Sequence, residues 1–164
     1  MKINQKTTTL ENGIQIDYIT LCNAQGMEVE VLTLGGIIKS INAPDRYGKL
    51  ENILLEYDNV NTYIANPGYL NALIGRTAGR VNQGEFTLGG ALYKVGINEG
   101  KHSLHGGVKG LDKKIWQAKD VSTKEASAVE LSCLSLDQEE GYPGNLEVKV
   151  TYALNNDNTF DLLY

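Results

Sequence analysis

A chain of 164 residues with 41% hydrophobic and 21% charged residues has the size and composition of one globular unit of about 100–200 residues rather than of a disordered tract. Its 15 basic and 20 acidic residues leave a net charge of −5, and Lys113-Lys114 is the one adjacent basic pair, so no nucleic-acid partner is expected, since that needs a basic face. No run approaches 18 apolar residues and Met1 to Leu10 is too polar for a signal peptide, so no membrane partner is expected and the default localisation is cytoplasmic.

The dominant period along the chain is two. Gly13 to Leu21 and Met27 to Leu34 read as strands joined by the turn-rich Asn23-Ala24-Gln25-Gly26. Gly35-Gly36 leads into an apolar run from Ile37 to Ala43, closed by Pro44-Asp45-Arg46-Tyr47-Gly48. Asn59 to Ala65 has the makings of one or two helical turns, and Leu70 to Ile74 reads as a strand end. Phe86 to Leu88 and Ala91 to Val95 flank Gly89-Gly90, a hairpin signal. In Ala128 to Leu136, Val129, Leu131 and Cys133 share a face before the phase shifts to Leu134 and Leu136. Either a bulge or a strand buried on both sides would produce that shift. From Asn145 to Leu154 the alternation is clean: Leu146, Val148, Val150, Tyr152 and Leu154 lie on one face and Glu147, Lys149, Thr151 and Ala153 on the other. No window carries a helical apolar stripe of useful length. Glycine is 18 of 164 residues, about 11% against a usual value near 7%, which suits many tight turns. The expectation is an all-β protein, a sandwich or barrel, with residues 1–164 forming a single unit.

One stretch breaks the pattern. Gly96 to Lys114 is glycine-rich, too long for a hairpin loop, and contains both histidines, His102 and His105. Loops of that length are functional or disordered. His105, between Leu104 and Gly106-Gly107, can exchange a proton or a hydrogen bond near neutral pH, or it can fix the loop by bonding carbonyls; His102 reads as an exposed loop residue. The second candidate is Gly75-Arg76-Thr77-Ala78-Gly79-Arg80. It lacks the Gly-Lys-Ser/Thr ending of a phosphate loop, but its two arginines can offer forked donors to hydroxyl pairs or carboxylates, or form surface ion pairs. Two histidines three apart without neighbouring ligands do not make a metal site, and no GxSxG or GxGxxG motif is present. Cys22 and Cys133 read as free buried thiols, with one long-range disulfide as the alternative.

The run Gly75 to Arg80, then Gly84-Glu85-Phe86-Thr87-Leu88, Asn98-Glu99-Gly100, Leu104-His105-Gly106-Gly107 and Trp116 resembles the aldose 1-epimerase (galactose mutarotase) family. Thr33-Leu34-Gly35-Gly36 upstream and Glu140-Gly141-Tyr142-Pro143-Gly144-Asn145-Leu146 downstream resemble it in the same order. The resemblance implies the N-terminal portion of a galactose-mutarotase-like β-sandwich, a free aldose as the small-molecule partner, and anomer interconversion without cofactor or metal. It implies substrate contacts for Arg80 and His105. Gly79 stands where some members place an asparagine that touches substrate, and here offers no side chain. The family's acid histidine, a sugar-binding aspartate and the glutamate base have no counterpart in this chain and are expected beyond Tyr164. The isolated chain is therefore expected to be inactive, poorly stable, and prone to self-association or to pairing with a complementing C-terminal chain through Leu146, Val148, Val150 and Tyr152. A non-catalytic carbohydrate-binding β-sandwich module is the alternative function, and a subunit or interaction domain the plainest one. A net charge of −5 disfavours a relative acting on phosphorylated hexoses.

Overall fold

The computed structural model describes residues 3–164. Strands β1 (Asn4–Thr9), β2 (Gln15–Cys22), β3 (Glu28–Leu32), β4 (Ile38–Pro44) and β5 (Leu50–Asn52) form a five-stranded antiparallel sheet in chain order. A single helical turn, α1 (Thr62–Ala65), follows. Two short ribbons come next: β7 (Glu85–Leu88) pairs with β8 (Ala91–Lys94), and β6 (Arg80–Val81) pairs across them with β9 (Ser103–Leu104). β10 (Gln117–Asp120), β11 (Ala126–Ser135), β12 (Leu146–Asn155) and β13 (Phe160–Leu163) make a second antiparallel sheet. The expected hairpin around Gly89-Gly90 is present. The Leu70 to Ile74 run is irregular rather than a strand.

The two sheets face one another. Ile19, Leu21, Val29 and Val31 of the first pack with Val129, Leu131, Val150, Tyr152 and Leu154 of the second, together with Trp116, Leu73 and Leu111. The even positions of β2 serve another purpose: Ile16, with Leu32, Leu34, Ile37 and Tyr63, forms a separate cluster under α1. β2 is thus buried on both sides, which is why its sequence runs apolar at positions of either phase. The phase change after Cys133 has a different cause from either one expected. β11 and β12 stay in unbroken register from Ala126↔Asn155 to Ser135↔Leu146, and Leu134 and Leu136 are simply exposed. The register shift lies elsewhere, between Glu30 and Val31 where β3 meets β4. Val150 and Tyr152, expected to need an outside partner, are already covered by the first sheet, whereas Leu146 remains open.

Thr33 to Gly36 is the junction of the molecule. Trp116 N donates to Thr33 O (2.8 Å), Gly35 N donates to Lys114 O (2.8 Å), and Leu73 N donates to Gly35 O (2.9 Å). From β12, the buried Tyr152 hydroxyl donates to Gly36 O at 2.6 Å, and burial drives its phenol far above the usual tyrosine range. These bonds hold the start of the Gly75–Arg80 segment against both sheets.

Arg76 then ties that segment to the β11–β12 connection. Its Nε donates to Ser135 Oγ (3.0 Å), Nη1 to Pro143 O (2.9 Å), and Nη2 to the carbonyls of Ser135, Leu136 and Gly144 at 3.0, 2.9 and 2.8 Å. Ser135 Oγ in turn donates to Glu139, which also binds the Lys114 ammonium. Burial alone would raise the Glu139 carboxyl, but the hydrogen bonds from Lys114 and Ser135 outweigh it and hold the group below the ordinary glutamate value.

No helix among the described residues is long and apolar enough to cross a membrane. Both cysteines are free and half-buried, and burial pushes the Cys133 thiol up to about 11.

Two outcomes follow from these contacts. Tyr152→Phe strands the Gly36 carbonyl in the core and should cost about 1–3 kcal/mol, read as a lower urea midpoint at unchanged slope; an unchanged midpoint would contradict the junction. Because the folded Glu139 carboxyl is depressed, its contribution is complete above the ordinary value of 4.5 and lost as pH falls through the lower folded value. Melting temperatures of the parent and Glu139→Gln should therefore differ at neutral pH and converge on acidification.

Candidate functional site

The ladder between β6 and β9 pairs Arg80 with Leu104 and Val81 with Ser103. One position beyond it, two residues exchange bonds: His105 N donates to Gly79 O at 3.0 Å, and Gly79 N donates to His105 Nδ1 at 3.1 Å. The glycine-arginine and leucine-histidine segments, about 25 residues apart in sequence, are therefore neighbouring rungs in space. Tyr69 meets the His105 ring edge-to-face, with centroids 4.8 Å apart. The phenol of Tyr69 is raised by burial and by the nearby Asp112 and Glu99 charges, against an opposing hydrogen bond from Asn98, so it stays protonated at neutral pH.

Gly96 to Lys114 is ordered by specific anchors. Asn98 works like a buckle: its Oδ1 accepts from Leu104 N (2.6 Å) and its Nδ2 donates to the carbonyls of Leu104 (3.0 Å) and Gly107 (2.9 Å). Glu140 reaches over from the β11–β12 connection and accepts from Val108 N (2.9 Å) and Lys109 N (3.0 Å). Gly106 is required by close approach, since a Cβ there would stand 1.8 Å from Gly75 O. His102 is more constrained than an exposed loop residue: it is half-buried, closes a turn with Glu99, and its Nδ1 accepts from Gln83 N at 3.2 Å.

Arg80 is exposed, and its Nη2 lies 2.9 Å from Glu99 Oε1. An exposed pair of this kind is worth roughly 0–1 kcal/mol, so a ligand can take over the guanidinium at little loss. His105 Nε2 has no protein partner among the described residues. An imidazole edge without a protein partner, one rung from the residue that carries an exposed forked donor, suits a neutral ligand rich in hydroxyls. Asp112 is buried, with Lys113 Nζ 2.9 Å from its Oδ2, which neutralises it locally. Among the described residues no group of three or more His, Cys, Asp or Glu is placed to hold a metal ion. A separate hollow of about 540 Å³ opens over β10 and β11, lined by Lys114, Ile115, Gln117, Ser132, Cys133, Leu134 and Glu147; it touches neither Arg80 nor His105.

Arg76, read from the sequence as a cleft donor or a surface ion pair, is neither. Its guanidinium is used on the backbone carbonyls and the serine described above and stands 5.8 Å from the Tyr142 ring centroid. The anchors Asn98 and Glu140 and the ring neighbour Tyr69 were not assigned roles from sequence, although Asn98 and Glu140 stand within the motif letters that carry the family resemblance.

The sequence model of the aldose 1-epimerase family matches residues 17–164. The galactose mutarotase of Bos taurus is 41% identical over 128 residues, 78% of this chain and 36% of that protein. The aldose 1-epimerase of Haemophilus influenzae is 36% identical over 162 residues, 99% of this chain and 46% of that one. The crystal structure of galactose 1-epimerase from Lactobacillus acidophilus superposes with a TM-score of 0.86 at 29% identity, covering 99% of this chain and 47% of that chain. The chain thus spans less than half the length of these relatives. Its paired sheets are those of the mutarotase-like β-sandwich, in agreement with the fold class read from the sequence. With the family pattern running from Asp17 to Tyr164 and its strand framework reproduced almost throughout, the chain belongs to the aldose 1-epimerase family.

Proposed function

We propose that this chain supplies the sugar-binding side of a mutarotase centre, in which Arg80 and His105 hydrogen-bond a free aldose such as galactose or glucose beside the backbone of Gly79. The observation that supports it is the reciprocal bonding of Gly79 and His105 one rung from Arg80, which brings the two side chains' segments to one edge of the ribbon. The reaction is ring opening and closure. A base takes the proton of the anomeric hydroxyl, an acid protonates the ring oxygen, the C1–C2 bond rotates, and the steps reverse on the other face.

The chain alone binds sugar without accelerating that reaction. The carboxylates near the site are engaged: Glu99 with Arg80, Glu140 with two backbone amides, Asp112 beside Lys113, Glu139 with Lys114. The glutamate base and the second histidine that the family pattern calls for have no equivalent in these residues. A purely binding module would place a flat aromatic platform at the site. Tyr69, the ring beside His105, is half-buried and turned at 66° to the imidazole, which gives that alternative less support.

Isothermal titration with galactose and glucose should show binding that weakens roughly tenfold or more in Arg80→Ala, the loss of one to two charge-assisted hydrogen bonds. Polarimetry on freshly dissolved α-anomer should show no acceleration by the chain. A rate increase that disappears in His105→Ala would reject the inactivity of the chain; equal binding by Arg80→Ala would reject the site.

A further inference from the structure

We infer that the backbone amide of Gly79 locks His105 in its neutral Nε2–H tautomer, so that the imidazole meets the sugar as a fixed hydrogen-bond donor and cannot serve as the proton acceptor. The second half of this statement rests on the sugar-site reading above; the first half stands on geometry alone.

A backbone N–H can only donate. With Gly79 N 3.1 Å from His105 Nδ1, Nδ1 must present its lone pair, and a neutral imidazole then carries its single proton on Nε2. Turning the ring over would set Cδ2–H against the same amide hydrogen and leave the amide unsatisfied. The neighbourhood opposes such a turn. The His105 main chain is tied to Gly79 O, Gly106 is wedged against Gly75 O, and the Tyr69 ring stands against the imidazole.

The same device occurs a second time. His102 Nδ1 accepts from Gln83 N at 3.2 Å. The two histidines bracket β9 (Ser103–Leu104), and the two donor residues bracket β6 (Arg80–Val81). The ribbon therefore clamps both rings by their Nδ1 atoms and leaves both Nε2 edges as donors.

The chemical consequence is a division of roles. For His105 to take the anomeric proton, Nε2 would have to give up the hydrogen it holds, and Nδ1 would have to gain one. That would set an N–H against the Gly79 N–H in a half-buried position and lose the amide bond. His105 is therefore suited to donate to a sugar oxygen lone pair, and the proton acceptor must be another group. Gly79, which has no side chain to offer the sugar, acts instead as a positioning residue through its main chain.

Long-range proton–nitrogen NMR on the nitrogen-15-labelled chain reads the tautomer directly, and with two histidines the spectrum holds two imidazoles. His105→Asn, which places Oδ1 where Nδ1 stood, assigns the signals and keeps an acceptor for Gly79. The expected spectrum shows a pyrrole-like Nε2 and a pyridine-like Nδ1 for both rings, with the His105 Nε2 signal moving when galactose is added. His105→Asn should melt close to the parent and bind sugar roughly tenfold or more weakly. A His105 ring protonated on Nδ1, or averaging between tautomers, would overturn the lock. Sugar binding undiminished in His105→Asn would overturn the donor role. Absence of any sugar binding, with the Nε2–H pattern present, would support the lock and reject the sugar-site reading.

Discussion

The structure depends on sealing the main chain of Thr33 to Gly36 inside the molecule. Buried backbone groups must find partners; beside Asp17 O in β2 and a local turn from Ile37 N to Leu34 O, the partners come from three distant places: the segment entering β10, Leu73 in the irregular run, and Tyr152 in the middle of β12. Local bonds alone do not satisfy this stretch. It is complete only when both sheets are in place, which makes the fold depend on contacts of long sequence separation and identifies the junction as a cooperative unit.

Order at the site is inherited from that junction through a relay of polar anchors. Leu73 is fixed by Gly35, Arg76 follows within three residues and grips the connection between β11 and β12, and Glu140 in that connection grips the loop behind His105. Each step uses a side chain to satisfy main-chain groups that would otherwise lie unpaired in a part of the molecule with little regular ladder. The imidazole is therefore held by the rest of the protein even though its immediate supports, β6 and β9, are two residues long each.

Much of the sheet framework was legible in the sequence because half-buried strands write a period of two. β12 shows it in Val150, Tyr152 and Leu154, and the turn letters between β2 and β3 and between β7 and β8 stood where turns occur. β1 was not legible: Asn-Gln-Lys-Thr-Thr-Thr has no apolar alternation, since this edge strand is mostly exposed. Leu134 and Leu136 misled because an exposed leucine looks the same in sequence as a buried one. Glu140 and Asn98 carry no signal of their own either, because an acid or amide that caps a loop cannot be told from a surface residue until the loop is folded over it. The resemblance singled out Arg80 and left Arg76 without a role, and only the fold shows that Arg76 is spent on backbone carbonyls. The family membership was legible from ordered motifs; the anchoring done by Arg76, Asn98 and Glu140 was not.

The Glu140 anchor also bears on how members of this family can be recombined. The glycine-rich segment behind His105 is pinned at Val108 and Lys109 by a carboxylate supplied some 30 positions later, so the two stretches behave as one heritable module. A chimera whose crossover falls between them would join a loop from one parent to an anchor from another, and any mismatch in the reach of that carboxylate would be transmitted straight to the imidazole. Exchange of binding specificity between relatives is therefore best done with both stretches moved together.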